Sequence, residues 1–303
     1  MALQARCTAA RCSHSVAHRL GEVFLLGLKN SGEFVEDCAG LRPRGGKPTG
    51  RLRVACSALA EYDSPRLNTH HSPRTTTAII VAAGKGTRMG PKSDKLFLDL
   101  AGRPVVAHTW QRFNDASCID EVILVVRDGM QSAFAALAAQ FGFQKPHRFV
   151  TGGAERQDSV WQGLEALSPA TEIVAIQDAA RPCTSKRLIR ATIEAARETG
   201  AAVAAQPVTD TIKESTDGRT ISRTVDRSKL WSVQTPQTFR VEVIRRALAE
   251  VRRRGLTITD DTAACELIGQ PVRLVSGVEP NPKVTLPSDL PYIESLLRQS
   301  REK

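Results

Sequence analysis

The sequence predicts an α/β protein with a mainly parallel sheet, and three observations carry that prediction. Apolar runs of strand length recur along the chain, at residues 78–81, within Glu121–Val126 (EVILVV) and at residues 173–176. They alternate with stretches whose apolar residues return at helical spacing, which implies right-handed crossovers between parallel strands. Loops rich in Gly, Ala and Asp follow these runs, at the carboxyl ends where open sheets of this kind bind ligands.

Residues 1 to about 74 show no sustained periodicity and are rich in Arg, Ser, Gly and Cys, so they are expected to lie outside the fold. A targeting peptide, a disordered tail and a start assigned too far upstream would each explain them. Glu22, Glu33, Glu36, Asp37, Glu61 and Asp63 speak against an organelle transit peptide, which should be poor in acids. A tail or misplaced start is therefore preferred, with the cytoplasm as compartment and a plastid as the alternative if the leader does target. Residues 75–303 are left for the folded domain.

That domain opens with a buried strand at 78–81 leading into Ala82, Ala83, Gly84 and Gly86. The glycines permit backbone angles that side chains forbid, and the alanines leave room for an anion against main-chain amides. Taken alone, these residues would equally make a plain strand-to-helix turn. Arg88 and Lys95 add two positive charges of the kind a triphosphate needs where charge builds up during transfer. The dinucleotide fingerprint fails because Met89 stands at its last glycine, and a Walker A loop fails because Lys85 is followed by Gly86.

A helix is expected at 105–113, a strand at Glu121–Val126 and a helix at 130–141. A strand ending near 150 should turn through Gly152 and Gly153 into a helix carrying Val160, Leu164 and Leu167 on one side. The strand at 173–176 ends in Asp178, followed by a helix at 188–196 and a small-residue strand at 201–205. Between 210 and 234 the pattern changes: the β-prone, polar stretches 211–214 and 220–224 flank Asp217-Gly218, a strong hairpin signal. Such a hairpin cannot stabilise itself in water, so an arm over about 209–234 is expected to lie on a second copy of the chain as a homodimer. Val241–Arg253 reads as a helix with Ile244, Ala247, Leu248 and Val251 on one face. Thr259, Asp260 and Asp261 suit the cap of a helix reaching 266. Strands are expected at 272–275 and 284–286, and Pro287 and Ser288 open a last helix with Leu290, Ile293 and Leu297 inward.

Composition excludes several classes. The chain has 303 residues, 41% of them hydrophobic, enough for a packed core. No run reaches the roughly 18 apolar residues of a membrane span, so no membrane role is expected. The net charge of +10 is spread out: residues 1–77 hold 11 Lys and Arg against 6 Asp and Glu, which is half the excess. With aromatics at 5% and no basic stripe among them, nucleic acid is not an expected partner. Seven cysteines, odd in number and without a CxxC pair, signal neither a disulfide framework nor zinc. His108 and His147 read as packing or surface residues rather than ligands, having no partner at metal spacing.

The pieces in their order resemble one family, the 2-C-methyl-D-erythritol 4-phosphate cytidylyltransferases of the non-mevalonate isoprenoid pathway. The carriers are Ala82-Ala83-Gly84-x-Gly86-x-Arg88-Met89, Asp94-Lys95-x-Phe97-Leu98 and Gly152-Gly153-x-x-Arg156-x-Asp158-Ser159-Val160. Asp178-Ala179-Ala180-Arg181-Pro182, Thr224-Val225-Asp226-Arg227 and Leu230-Trp231-x-x-Gln234-Thr235-Pro236-Gln237 follow, then Thr259-Asp260 and Asn281-x-Lys283-x-Thr285. The resemblance implies a three-layer, Rossmann-like fold of the nucleotide-diphospho-sugar transferase type with a protruding hairpin arm. It implies transfer of the cytidylyl group of CTP to methylerythritol phosphate with release of pyrophosphate, and Mg²⁺ held mostly by phosphate oxygens, with Asp178 as a possible protein ligand. Ala82, Ala83, Gly84, Gly86, Arg88 and Lys95 would hold the triphosphate, Gly153 and Ser159 would read the cytosine, and Ala179 would pack near the ribose. Asp178, Arg227, Thr235, Thr259 and Lys283 would meet the acceptor, with Arg88, Lys95, Arg227 and Lys283 as the catalytic cations. Two departures stand out: Ala154 replaces an acid that reaches the ribose in some relatives, and Pro280 and Pro282 bracket Asn281, stiffening the segment that carries Lys283. A cytidylyltransferase for ribitol 5-phosphate and a silent, basic interaction protein on the same scaffold are the competing readings.

Overall fold

The structure, a computed structural model, describes residues 74–84 and 94–299. The leader, Gly86 and Arg88 lie outside the described residues. The chain makes β1 (Thr75–Ala82), a ribbon of β2 (Asp99–Leu100) and β3 (Arg103–Pro104), α1 (Val105–Asn114), β4 (Glu121–Val126) and α2 (Gln131–Phe141). Next come β5 (His147–Thr151), α3 (Arg156–Glu165), β6 (Thr171–Asp178), α4 (Lys186–Thr199) and β7 (Ala201–Pro207). A second ribbon, β8 (Lys213–Glu214) with β9 (Arg223–Thr224), precedes β10 (Trp231–Arg240), α5 (Val241–Arg253), α6 (Asp261–Leu267), β11 (Arg273–Ser276) and α7 (Leu290–Gln299).

Among the described residues, seven strands form one sheet in the order β11-β7-β10-β6-β1-β4-β5. β10 is antiparallel to β6 and β7, and the other neighbouring pairs are parallel. Alternation along β1 explains the three layers: Ala78 and Ile80 face a core with Trp110, Phe113, Phe134, Ile189, Ile193 and Ile293, whereas Ile79 faces Val160, Leu164, Phe239, Ile244 and Leu248. Helices α1, α2, α4 and α7 therefore cover one face, and α3, α5 and α6 the other. His108 and His147 pack as expected, His108 Nε2 lying 2.6 Å from Leu100 O and His147 standing edge-on to Trp110.

The fold agrees with the α/β, mainly parallel expectation; it adds the short β2–β3 ribbon, which the sequence did not announce, and departs at β10 and at 284–286. No strand was legible at 231–240, yet β10 lies inside the sheet. Its residues alternate poorly and include Pro236, which cannot donate to a ladder; the register shifts between Val233 and Gln237 to step past it. The strand expected at 284–286 does not form. Val284 N donates to Ala180 O (2.8 Å), but the next two amides, of Thr285 and Leu286, donate to the Asp289 carboxylate (2.7 and 2.8 Å) and start the turn into α7. The hairpin does form, with Asp217 Oδ1 accepting from Arg219 N and Thr220 N (2.8 and 2.7 Å) and Gly218 at φ 67°.

Candidate active site

Sheet order reverses at β1, since β4 and β5 extend to one side of it and β6 lies on the other. Two loops part there, from the ends of β1 and β6, and leave a crevice. A cavity of about 290 Å³ occupies it. Val81, Ala83 and Gly84 line it from β1, Gly153 to Arg156 and Ser159 from the start of α3, and Asp178 to Ala180 from β6. Lys95, Leu96, Lys283 and Thr285 complete the wall.

The floor depends on absent side chains. A Cβ on Gly152 would stand 2.4 Å from Ala83 Cβ and 2.8 Å from Ser159 Oγ, and one on Gly153 would stand 2.3 Å from Asp158 Cβ. Glycine therefore lets the β5 loop close on the β1 loop and on the first turn of α3. Gly153 N donates to Ser159 Oγ (3.2 Å), and that hydroxyl donates to Glu155 O (3.2 Å), which fixes the side chain at the cavity wall.

Charge concentrates on Asp178. Its Oδ2 accepts from Lys283 Nζ at 2.7 Å, its Oδ1 lies 3.4 Å from Arg156 Nε, and Arg181 Nε is 3.8 Å away. Burial would raise this carboxyl, but Arg156, Lys283 and Arg181 outweigh it and hold the group down at about 2. Asp178 is thus a carboxylate throughout the physiological range. Arg156 also pairs with Asp261, whose Oδ2 is 2.9 Å from Arg156 Nη1. Asp261 is fully buried and neither of its carboxyl oxygens has an aligned donor; burial raises it above the usual carboxylate range despite Arg156. Burial opposes the charge on Arg156 too, but the two carboxylates keep it protonated.

The residues named from sequence divide into three groups. Ala83, Gly84, Lys95, Gly153, Ser159, Asp178, Ala179 and Lys283 come together around the cavity, with Ala82 packed just behind. Gly86 and Arg88 lie outside the described residues. Thr235, Thr259 and Arg227 do not line the cavity. Thr235 is buried behind it, where its hydroxyl accepts from Asp178 N (3.1 Å); Thr259 is exposed ahead of α6; Arg227 sits at the base of the hairpin, donating to Thr209 O. The segment of Pro280 and Pro282 is held in place by its neighbours. The buried Asn281 between them donates to Thr235 O (2.8 Å) while its own carbonyl accepts from Arg181 (2.7 Å), which pins the segment so that Lys283 reaches Asp178.

Arg156, Arg181 and Asp261 received no role from the sequence. Arg156 was visible only as part of a motif, and Asp261 only as a capping candidate. Gln237 links Asp261 to the sheet: its side chain donates to Asp260 Oδ2 and accepts from Asp261 N, both at 2.9 Å, which seats α6 against β10. As a whole, the cavity offers a backbone cradle, two lysines and the partly buried Arg156, with the carboxylates of Asp178 and Glu155 also in its wall. That arrangement suits a polyphosphate and a second anion better than a neutral ligand.

The model of one protein family, "IspD: 2-C-methyl-D-erythritol 4-phosphate cytidylyltransferase", matches residues 76–299. The 2-C-methyl-D-erythritol 4-phosphate cytidylyltransferase of Alkaliphilus oremlandii is 44% identical over 228 residues, which cover 75% of this chain and 97% of that one. Among solved structures, the 4-diphosphocytidyl-2C-methyl-D-erythritol synthase of Anaerococcus prevotii superposes with a TM-score of 0.66 at 30% identity, covering 74% of this chain and 96% of that one. The 2-C-methyl-D-erythritol 4-phosphate cytidylyltransferase of Thermus thermophilus does so with a TM-score of 0.61 at 36% identity, covering 74% and 99%.

Proposed function

We propose how this chain works from the premise that it belongs to the 2-C-methyl-D-erythritol 4-phosphate cytidylyltransferase family. It is a nucleotidyltransferase of isoprenoid precursor biosynthesis that transfers the cytidylyl group of CTP to 2-C-methyl-D-erythritol 4-phosphate, giving 4-diphosphocytidyl-2-C-methyl-D-erythritol and pyrophosphate. The observation that carries the mechanism is the convergence of Lys95, Lys283 and Asp178 on one cavity beside the β1 loop.

In this reading, CTP lies along Ala83 and Gly84, with its base at Gly153 and Ser159 and its ribose against Ala179. A backbone carbonyl accepting from the cytosine amino group would reject uracil, which has no donor there. Lys95 sits at the triphosphate and Lys283 at the acceptor end. An oxygen of the acceptor phosphate forms a bond to the α-phosphorus in line as the bond to the bridging oxygen of pyrophosphate breaks. The electron pair leaves with pyrophosphate, and the cations stabilise the charge that develops. No general base is needed, because a phosphate dianion is already a nucleophile near neutral pH.

The donor set suits Mg²⁺. Among the described residues no three His, Cys, Asp or Glu side chains form a metal cage, and Asp178 offers an ionised carboxylate at the cavity wall. An ion that keeps most of its ligands from phosphate and water needs little more from the protein. When bound, it would neutralise phosphate charge, with Asp178 as its protein ligand.

The arm is assigned to a homodimer. Ile221 in the hairpin and Trp231 and Val233 in the outer half of β10 are 62%, 39% and 39% exposed, apolar side chains that a second copy would cover. Arg227, on that arm and outside this chain's own cavity, would then serve the partner's acceptor site. A reducing compartment such as the cytoplasm suits Cys118, Cys183 and Cys265, which are all unpaired. No helix among the described residues is long and apolar enough to cross a membrane.

The test is pyrophosphate release by the purified protein with CTP and Mg²⁺, offered 2-C-methyl-D-erythritol 4-phosphate and ribitol 5-phosphate separately. The first acceptor should be used at a kcat/KM far above the second. Preference for ribitol 5-phosphate would overturn the acceptor assignment.

A further inference from the structure

Lys95 has to project from a turn that is held firmly on one side. After it, Leu96 is buried in the core, Val106 N donates to Leu96 O (3.0 Å) and Val105 N donates to Leu98 O (3.1 Å), so the chain is tied to the start of α1. Before it stands Asp94, whose backbone carbonyl accepts from Phe97 N (2.9 Å) and whose Oδ1 accepts from Leu96 N (3.1 Å). The carboxylate thus closes a local turn around Lys95. Its other oxygen, Oδ2, accepts from Arg127 Nη2. Arg127 directly follows β4, whose last residue Val126 is in register with Ala82 of β1. The Arg127 backbone is fixed as well, because its carbonyl accepts from Met130 N (3.1 Å). Both side chains of the pair are partly buried, at 28% and 21% exposure, so solvent screens them less than an open surface pair.

We infer that Arg127 is a positioning residue for Lys95: through Asp94 it ties the turn that presents Lys95 to the end of β4, at the same sheet edge as the triphosphate loop. Lys95 Nζ reaches across to Val284 O at 3.5 Å, next to Lys283. Its ammonium is thereby set between the β1 loop and the acceptor side of the cavity. Without Arg127, Asp94 still caps its own turn but loses its tie to the sheet. A small misplacement of a charge that acts on the transferring phosphoryl group costs rate steeply. The inference rests on the reading of Lys95 as a cation for the triphosphate.

Steady-state pyrophosphate release with CTP, 2-C-methyl-D-erythritol 4-phosphate and Mg²⁺ tests it in four full-length proteins: Arg127→Ala, Arg127→Lys, Lys95→Ala and the double variant Lys95→Ala/Arg127→Ala. Arg127→Ala should lower kcat by roughly 10-fold with an unchanged melting temperature, and Arg127→Lys should restore part of it. The double variant should be no slower than Lys95→Ala alone, because an effect exerted through Lys95 vanishes with Lys95. Multiplying effects would mean that Arg127 acts on the substrate or on stability directly, and would overturn the inference. So would normal turnover of Arg127→Ala beside an impaired Lys95→Ala. Normal turnover of Lys95→Ala would instead overturn the reading of Lys95 itself and the inference with it.

Discussion

Asp178 is the residue on which the charges of the cavity meet, and its ionisation makes stability depend on pH. Its carboxyl is held down at about 2 because three cations outweigh its burial. A depressed carboxylate contributes stability that is present above its unfolded value near 4 and is lost as the pH falls through the folded value. The contribution is about 2 kcal/mol at neutral pH. The stability difference between the wild type and Asp178→Asn should therefore shrink as urea denaturation is repeated from pH 5 down to pH 2. A difference that stays constant over that range would mean that the ion pairs do not form. Asp261, raised by burial, contributes with the opposite sign, so the comparison is made between proteins that both retain it. At this scale the sequence was informative where side chains recur in motifs. Lys95, Asp178 and Lys283 were legible. The place of Arg156 was not, because its partners lie 22 residues away in Asp178 and, at the start of α6, in Asp261, and only folding brings them together.

The ribbon of β8 and β9 is the element with least support of its own. Both strands are two residues long and exposed, and the arm carries the exposed Ile221. Such a hairpin is marginal in water unless something covers it. If the arm crosses to a second copy, Lys95→Ala and Arg227→Ala proteins should each be inactive as homodimers, yet regain activity when mixed. One site of the mixed dimer then carries both lesions and the other carries neither, so about half the activity per mixed dimer returns, by two-fold symmetry. No recovery despite demonstrated exchange would place Arg227 in the service of its own chain. Elements made of apolar runs were legible from sequence because burial on both faces leaves a continuous signature. β10 was not, because Thr235, Gln237 and Thr238 are buried polar residues whose hydrogen bonds, not their hydropathy, hold them in the sheet. The supposed strand at 284–286 failed for the converse reason: an apolar valine is buried there, but Asp289 takes the amides that follow it.

For the whole molecule, the two cores lie on opposite faces of one sheet, and the family match begins at residue 76. A chain beginning near Pro73 is expected to keep both its melting temperature and its turnover. Loss of either would show that the preceding residues contribute to the domain. The fold class was legible because strand and helix periods alternate over the whole domain. The reversal of strand order that creates the crevice was not, since neighbours in a sheet are set by pairing rather than by sequence order. The chemistry in that crevice is read directly by isotope tracing. Acceptor labelled with ¹⁸O on every non-ester oxygen of its phosphate is incubated with CTP, Mg²⁺ and the protein, and the products are weighed by mass spectrometry. Attack of that phosphate on the α-phosphorus leaves all of the label in 4-diphosphocytidyl-2-C-methyl-D-erythritol and none in pyrophosphate. Label in pyrophosphate, or release of CMP in its place, would contradict the account.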